Sequence, residues 1–375
     1  MIASDRIYLD HNATTPIDSR VLERYVEVES AHPANPSSAH TSGRRARAVV
    51  EDARAQIARS IGVAADEVVF VSGGTEANNM VVLGLGDPAL GVVASAAEHA
   101  SVLEPARRRG LIELPVDAVG RTRFEMVPSD VHAAAVVCAV HGQSEVGSVL
   151  DLAAARRAAD RLGAALHVDA SQTLGRVDLS DAVRYADTLA LSMHKAGGPK
   201  GIGVLVVRRS AATLRPLFGG GGQERGLRSG TTSVALAAAA ALTVELAVQE
   251  REQRARAMSE ARAAFLAELA RGSCRFTCLT PLDGSLPNTA MIEFPCVRDG
   301  RTLLPAIDLA GVDASHGAAC ASGSPLPPLV LRAMGRDEAE ARRCVRFSFA
   351  GVAMIDRAQE AARRVREAIE IVERA

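Results

Sequence analysis

Apolar residues in the middle of the chain come in short unbroken runs, each followed by small or polar residues and then by helical spacing. Val68–Val71 is such a run, and it leads into Ser72-Gly73-Gly74-Thr75 and a helix-like stretch from Glu76. Gly91–Ala94 and Ala134–Val140 repeat the pattern. Asp151–Leu162 reads as an arginine-rich amphipathic helix that runs into a further strand, Ala165–Asp169. Thr188–Met193 and Gly203–Val207 are two more strands joined by a glycine-rich connection. Strands separated by helices of this length imply βαβ units and a largely parallel sheet.

Past the Gly219–Gly222 turn the pattern changes. Residues 233–270 are alanine-rich and helical, and the last hundred residues mix short strands (Thr289–Phe294, Val345–Phe349) with helices. Ile355, Ala358, Ala362, Val365, Ile369 and Val372 recur at the spacing of one helix face. The expected architecture is an α/β large domain over 13–250 and a smaller α+β domain built from 1–12 plus 251–375. No repeat, low-complexity segment or flexible linker interrupts the chain, so the two should pack tightly. The longest apolar run, Val234–Val244, is too short to cross a bilayer and reads as a buried helix.

Charge narrows the partners. A formal net charge of -1, with basic residues scattered, offers no electrostatic attraction for nucleic acid or an anionic membrane. The opening MIASDRIYLD places acids where a secretory peptide needs an apolar stretch, so a cytoplasmic protein is expected. Six cysteines occur, at 138, 274, 278, 296, 320 and 344. None forms a CxxC pair, and reduced thiols are expected, four of them as small core residues. Cys320 differs. It sits in Gly-Ala-Ala-Cys-Ala-Ser-Gly-Ser, a segment with little to pack, where an accessible thiol could reach a substrate and swing away.

The lysines are more pointed still. Of 43 basic residues only Lys195 and Lys200 are lysine, and they lie close together. A guanidinium cannot lose its proton and attack a carbonyl, whereas an amine can. Three junctions then stand out. Ser72-Gly73-Gly74-Thr75-Glu76, between a strand and a helix, suits an anion. Asp169, in Val168-Asp169-Ala170-Ser171-Gln172, ends a strand where open α/β sheets place ligands. Ser192-Met193-His194-Lys195 follows another strand, with Lys195 preferred over the loop residue Lys200 as nucleophile. A phosphate cradle, a strand-end carboxylate and a strand-end amine together describe a site for pyridoxal 5'-phosphate.

At these residues the chain resembles the cysteine desulfurases of the NifS/IscS type, within the class V aminotransferase group. Further blocks carry the resemblance: Tyr8-Leu-Asp-His-Asn-Ala-Thr-Thr-Pro16, Asn35-Pro-Ser-Ser, Glu98-His99, Gly-Pro-Lys-Gly201, Gly220-Gly-Gly-Gln-Glu-Arg-Gly-Leu-Arg-Ser-Gly-Thr231, Gly317-Ala-Ala-Cys320 and Arg346-Phe-Ser. The resemblance implies the pyridoxal-phosphate-dependent transferase fold of type I and a homodimer. It implies that Lys195 is the Schiff-base lysine, that Asp169 pairs with the pyridine nitrogen, and that Gln172 bonds the ring's phenolic oxygen. His99 would stack on the ring and help move protons. Gly74, Thr75, Ser192 and His194 would hold the phosphate, joined by Thr231 from the second subunit. Asn35 and Arg346 would bind the substrate carboxylate. Cys320 would take sulfur from L-cysteine as a persulfide, leaving L-alanine, and pass it to an acceptor protein or small thiol.

Some positions depart from the family pattern. Ser144 stands where the nearest members have asparagine, Gln223 where they have histidine, and His316 where serine is usual, four residues before Cys320. The chain ends 29 residues after Arg346, which suggests a specialised sulfur supplier rather than the housekeeping enzyme of cluster assembly. Two alternatives stay open: a selenocysteine lyase, or another class V aminotransferase or lyase in which Cys320 is incidental. A non-catalytic scaffold is disfavoured by the presence of Lys195, Asp169 and Cys320.

Overall fold

The computed structural model describes residues 6–211, 213–317 and 327–374. Its first half runs β1 (Ile7–Tyr8), α1 (Ser19–Ala31), α2 (Thr41–Ile61), β2 (Val68–Val71), α3 (Gly74–Gly84), β3 (Val92–Ser95), α4 (Ala100–Arg109), β4 (Leu111–Leu114), β5 (Val136–Val140), α5 (Leu152–Arg161), β6 (Ala165–Asp169), α6 (Ser180–Tyr185), β7 (Thr188–Ser192) and β8 (Gly203–Val207). Seven of these strands form one sheet in the order β2-β8-β7-β6-β5-β3-β4. The pairings from β7 through β4 are parallel, and β8 alone runs against both its neighbours. The reason is the connection: the ten residues after β7 form no crossover helix, so the chain returns antiparallel. The largely parallel sheet expected from the apolar runs is present.

Alternation along each strand sends side chains to both faces. Val68 and Phe70 point with Val137, Leu166 and Val168 into a core shared with α2 and α5. Val69 and Val71 point with Val92, Ala94 and Cys138 into a second core under α3 and α4. Covering both faces explains why the strands read as unbroken apolar runs. It also leaves the carboxyl ends of six strands on one edge.

The second half contains α7 (Val234–Gln249), α8 (Arg251–Leu269), β9 (Thr277–Cys278), β10 (Thr289–Glu293), α9 (Leu303–Leu309), β11 (Val312–Asp313), α10 (Leu329–Ala333), α11 (Glu338–Arg342), β12 (Cys344–Ser348) and α12 (Ile355–Arg374). The long helical stretch expected over 233–270 is two helices broken at Glu250, whose carboxylate accepts hydrogen bonds from Arg20 and Arg254. Helix α7 packs on α1 and α2, whereas α8 packs on α12. An antiparallel sheet, β12-β10-β9, shares a separate core with α8, α9 and α12, centred on Phe265, Phe294, Phe347 and Phe349. Ile7 and Leu9 join that core, and β1 pairs with β11, so residues 7–9 belong to the same cluster as α8, β10, α9, β12 and α12.

One expectation about the cysteines is corrected. Cys138 and Cys344 are buried thiols and Cys278 is half-buried, but Cys274 and Cys296 form a disulfide. Antiparallel pairing of Thr277–Cys278 with Ile292–Glu293 brings the turns on either side together, leaving the two Cα atoms 6.1 Å apart. Twenty-two residues separate the pair in sequence, so no spacing motif announced it.

Candidate active site

A cleft of about 320 Å³ opens at the carboxyl edge of the large sheet. Strand–loop junctions supply most of its wall. Gly74 and Thr75 come from the amino end of α3, directly after β2. His99 caps α4 after β3, Asp169 ends β6 with Gln172 in the turn beyond, and Ser192, His194 and Lys195 follow β7. Arg346 enters from β12 on the opposite side. Nine residues singled out in the sequence therefore meet in one cleft: Gly74, Thr75, His99, Asp169, Gln172, Ser192, His194, Lys195 and Arg346.

Asp169 is the best-held of these. Its Oδ1 accepts from the Ser171 backbone N–H (2.9 Å) and its Oδ2 from Asn78 Nδ2 (2.8 Å). Burial alone would raise its pKa, but the Lys195 charge and these donors outweigh burial and hold it below the usual carboxylate range. It stays ionised.

That carboxylate dictates the protons around it. Because Asp169 can only accept, the Asn78 atom facing it must be the amide nitrogen, whose second hydrogen goes to Ser101 Oγ (2.8 Å). The Asn78 oxygen faces His167 Nε2 (2.9 Å), so this imidazole is the donor there; burial lowers its pKa to about 4. Ser101 Oγ lies 2.7 Å from His99 Nδ1, and the Ser101 backbone N–H also donates to that nitrogen (3.1 Å). A backbone N–H cannot accept, so Nδ1 of His99 is unprotonated and its proton sits on Nε2. Burial and the Lys195 charge lower the His99 pKa and keep it neutral.

Burial also lowers His194 to about 4, helped by Lys195 and Lys200, and its Nδ1 is 3.1 Å from Thr14 Oγ1. Beside His99, burial and the Asp169 charge raise Glu98 to about 8, although the Val140 N–H donates to its Oε1 (2.7 Å). Glu98 is thus protonated at neutral pH.

Arg346 is 1 % exposed and already engaged. Its Nη2 meets Asp10 Oδ1 at 2.6 Å and its Nη1 donates to the Ser144 carbonyl at 2.9 Å. Ser144 thus meets the site through its backbone. Gln143 is turned into the fold, where its Oε1 accepts from the Glu145 and Val146 N–H groups.

Two expected residues do not reach the cleft within one chain. Asn35 is exposed, and its Oδ1 accepts from the Ser37 N–H in a turn around Pro36. Thr231 is exposed just beyond Gly230 (φ +108°), outside the cleft wall. Cys320 lies outside the described residues. His316, near it in sequence, places Nδ1 2.7 Å from the Cys344 carbonyl and so must donate there. Asn78 and Ser101 were not singled out by sequence reasoning, and Asp10, Asn12 and Ser171 stood inside quoted blocks without a role of their own. Of the first two only Asn78 carries a positional signal, one helical turn after Thr75.

Comparison with known proteins agrees with this geometry. The family model for aminotransferase class V matches residues 7–357. The cysteine desulfurase IscS of Dictyoglomus turgidum is 33% identical over 91% of this chain and 89% of its own length. A solved NifS-like protein superposes with a TM-score of 0.86 at 31% identity, covering 98% of this chain and all of that one. SspA, solved in complex with cysteine, does so with a TM-score of 0.78 at 29% identity, covering 92% of this chain and 99% of its own. The chain belongs to the class V aminotransferase family, among its cysteine desulfurases of the NifS/IscS type.

Proposed function

We propose that the protein is a pyridoxal-phosphate-dependent cysteine desulfurase that transfers the sulfur of L-cysteine to Cys320. The observation that carries this reading is the joint presence, in one cleft, of the Lys195 amine, an ionised Asp169 and a polar cradle.

The cradle fits a phosphate. The first N–H groups of α3 open into it, and Ser171 Oγ is buried there with no hydrogen-bond partner among the described residues. A Cβ on Gly73 would project into open space, and one on Gly74 would strike Ser171 Oγ at 2.8 Å. Backbone can therefore come close to an anion where a side chain would intrude. Thr75, Ser192 and His194 complete the cradle, with Thr231 supplied by a second copy of the chain. Asp169, kept ionised, suits a protonated ring nitrogen, and Gln172 suits the ring's phenolic oxygen. Bound here, pyridoxal phosphate supplies an electron sink for bonds to the substrate's α-carbon.

The chain's own groups do the rest. Lys195 holds the coenzyme and, being an amine, carries protons at Nζ. His99, with its proton on Nε2, would supply a proton donor beside the bound group. Arg346 offers a guanidinium to the substrate carboxylate, with Asn35 a second contact. The Cys320 thiolate attacks the substrate sulfur. The carbon–sulfur bond breaks and a sulfur–sulfur bond forms, while the carbon is reduced to a methyl group and takes a proton. The balance is L-cysteine plus the Cys320 thiol giving L-alanine plus the Cys320 persulfide. An acceptor protein or small thiol then removes the sulfur.

Incubation with cysteine and a thiol reductant tests this. Equimolar alanine and sulfide are expected, with both lost in Lys195→Ala together with the visible absorption band. Full sulfide output from Cys320→Ser overturns the persulfide step. Amino-group transfer to an added keto acid without sulfide replaces the reading with an aminotransferase.

A further inference from the structure

Arg176 lies in the turn after β6, four residues beyond Gln172, and only 3 % of it is exposed. Such a buried guanidinium normally faces a carboxylate. Among the described residues this one has none, and its hydrogen bonds run to four neutral oxygens at or beneath the cleft wall. Its Nη1 donates to Gln172 Oε1 (2.5 Å) and Asn12 Oδ1 (2.8 Å). Its Nη2 donates to the carbonyls of His11 and Lys195, both at 3.1 Å. Burial and the Arg346 charge lower its pKa to about 9, which leaves it protonated at neutral pH.

The consequence lies in Gln172. A guanidinium has no acceptor, so the Gln172 atom against it must be the amide oxygen. Independently, the other end of the amide meets the Asn12 carbonyl at 2.9 Å, and a carbonyl only accepts, so that atom must be nitrogen. Two neighbours of opposite character thus allow one orientation of the amide. Flipping it would set NH₂ against guanidinium and oxygen against oxygen. The Gln172 nitrogen has a second hydrogen, and Gln172 lines the cleft. Asn12 is tied in turn to the start of β10 and the residue before it, its Oδ1 accepting from Asn288 Nδ2 (2.9 Å) and its Nδ2 donating to Thr289 Oγ1 (2.8 Å).

We infer that Arg176 is a positioning residue that locks Gln172 with its amide N–H toward the cleft and adds an uncompensated positive charge behind it, so that this wall accepts an anionic oxygen. The inference rests on the proposed cofactor reading, in which that oxygen is the phenolic oxygen of the ring. It assigns the anionic state of that oxygen to a pair of residues rather than to Gln172 alone. It also links the Lys195 carbonyl and the start of β10 to the same guanidinium.

The test is a pH titration of the visible absorption of the purified holoprotein, with thermal unfolding of the cofactor-free protein as control. Removing a cation beside a titrating proton favours the protonated form, so Arg176→Met should raise the midpoint by about one pH unit, a tenfold change in the proton equilibrium. Arg176→Gln, neutral and still able to donate one hydrogen bond, repeats the measurement if the methionine variant fails to fold. Gln172→Leu should reproduce part of the shift, and adding Arg176→Gln to it should move the midpoint by less than Arg176→Gln does alone. An unchanged midpoint in the folded, cofactor-loaded Arg176 variants overturns the inference and leaves the proposed function standing. Fully additive shifts also overturn it, because Arg176 would then act by its charge without positioning Gln172. A wild-type protein that takes up no pyridoxal phosphate overturns the cofactor reading itself.

Discussion

The two walls of the cleft are built on different principles. On the large-domain side the polar groups around Asp169 and Gln172 are held before any guest arrives. Asp169 fixes Asn78, Asn78 fixes Ser101, Ser101 fixes His99, and Arg176 fixes Gln172, with most contacts between 2.5 and 3.1 Å. The small-domain side contributes one buried cation, Arg346, whose charge is already balanced by Asp10. A prearranged wall suits a resident group that binds once. A paired cation whose Nε has no hydrogen-bond partner among the described residues suits a passing one, because a donor remains to offer a substrate carboxylate.

This contrast can be broken from either wall. The largest effect is expected from Asp169→Asn, which removes the one obligatory acceptor of the network. A charge-assisted hydrogen bond of this kind contributes about 2 kcal/mol, so cofactor affinity should fall by roughly thirtyfold, read as dissociation during dialysis. Arg346→Lys should instead leave cofactor retention unchanged and raise the KM for cysteine by roughly tenfold, since an ammonium cannot form the two-pronged contact. Asp10→Asn should move KM the opposite way, by a smaller factor, while lowering the melting temperature because Arg346 loses its partner. Loss of cofactor in either small-domain variant would erase the distinction.

Glu98 sharpens the account of the prearranged wall. Its folded pKa of about 8 lies above its ordinary value of 4.5, through burial first and the Asp169 charge second. The folded state therefore binds more protons than the unfolded one in this window. The contribution to stability is complete below pH 4.5 and is lost as pH rises through about 8. Denaturant unfolding of Glu98→Gln across that range should show a flatter pH dependence than the wild type; parallel curves would mean that Glu98 is ionised in the fold. The smallest expectation concerns the Cys274–Cys296 disulfide, remote from the cleft. Denatured protein prepared without reductant should titrate two thiols fewer than reduced protein, and an equal count would remove the crosslink from the account.

Much of the site was legible because its residues sit at junctions with strong local signals. Lys195 is one of two lysines, Asp169 ends an apolar run, and Gly73-Gly74 interrupts a strand-to-helix passage. The parallel sheet was legible for a similar reason, since strands covered on both faces leave unbroken apolar runs. The break at Glu250 was not, because an alanine-rich helix reads the same before and after a turn. Asn78, Ser101 and Arg176 escaped notice because their roles exist only in the folded chain. Nothing local distinguishes Arg176 from the other arginines; what marks it is that no carboxylate among the described residues pairs with it. Asn35 and Thr231 show the opposite limit, since motifs that match the family fall on the exposed surface of a single chain, away from the cleft wall.

Mass spectrometry of the protein after exposure to cysteine without any reductant bears most directly on the central claim, that the cleft amine and the Cys320 thiol act on one amino acid. The account predicts one added sulfur atom on the peptide containing Cys320, released by a thiol, matched by alanine in solution and absent in Lys195→Ala. Alanine produced while that peptide keeps its original mass would contradict it.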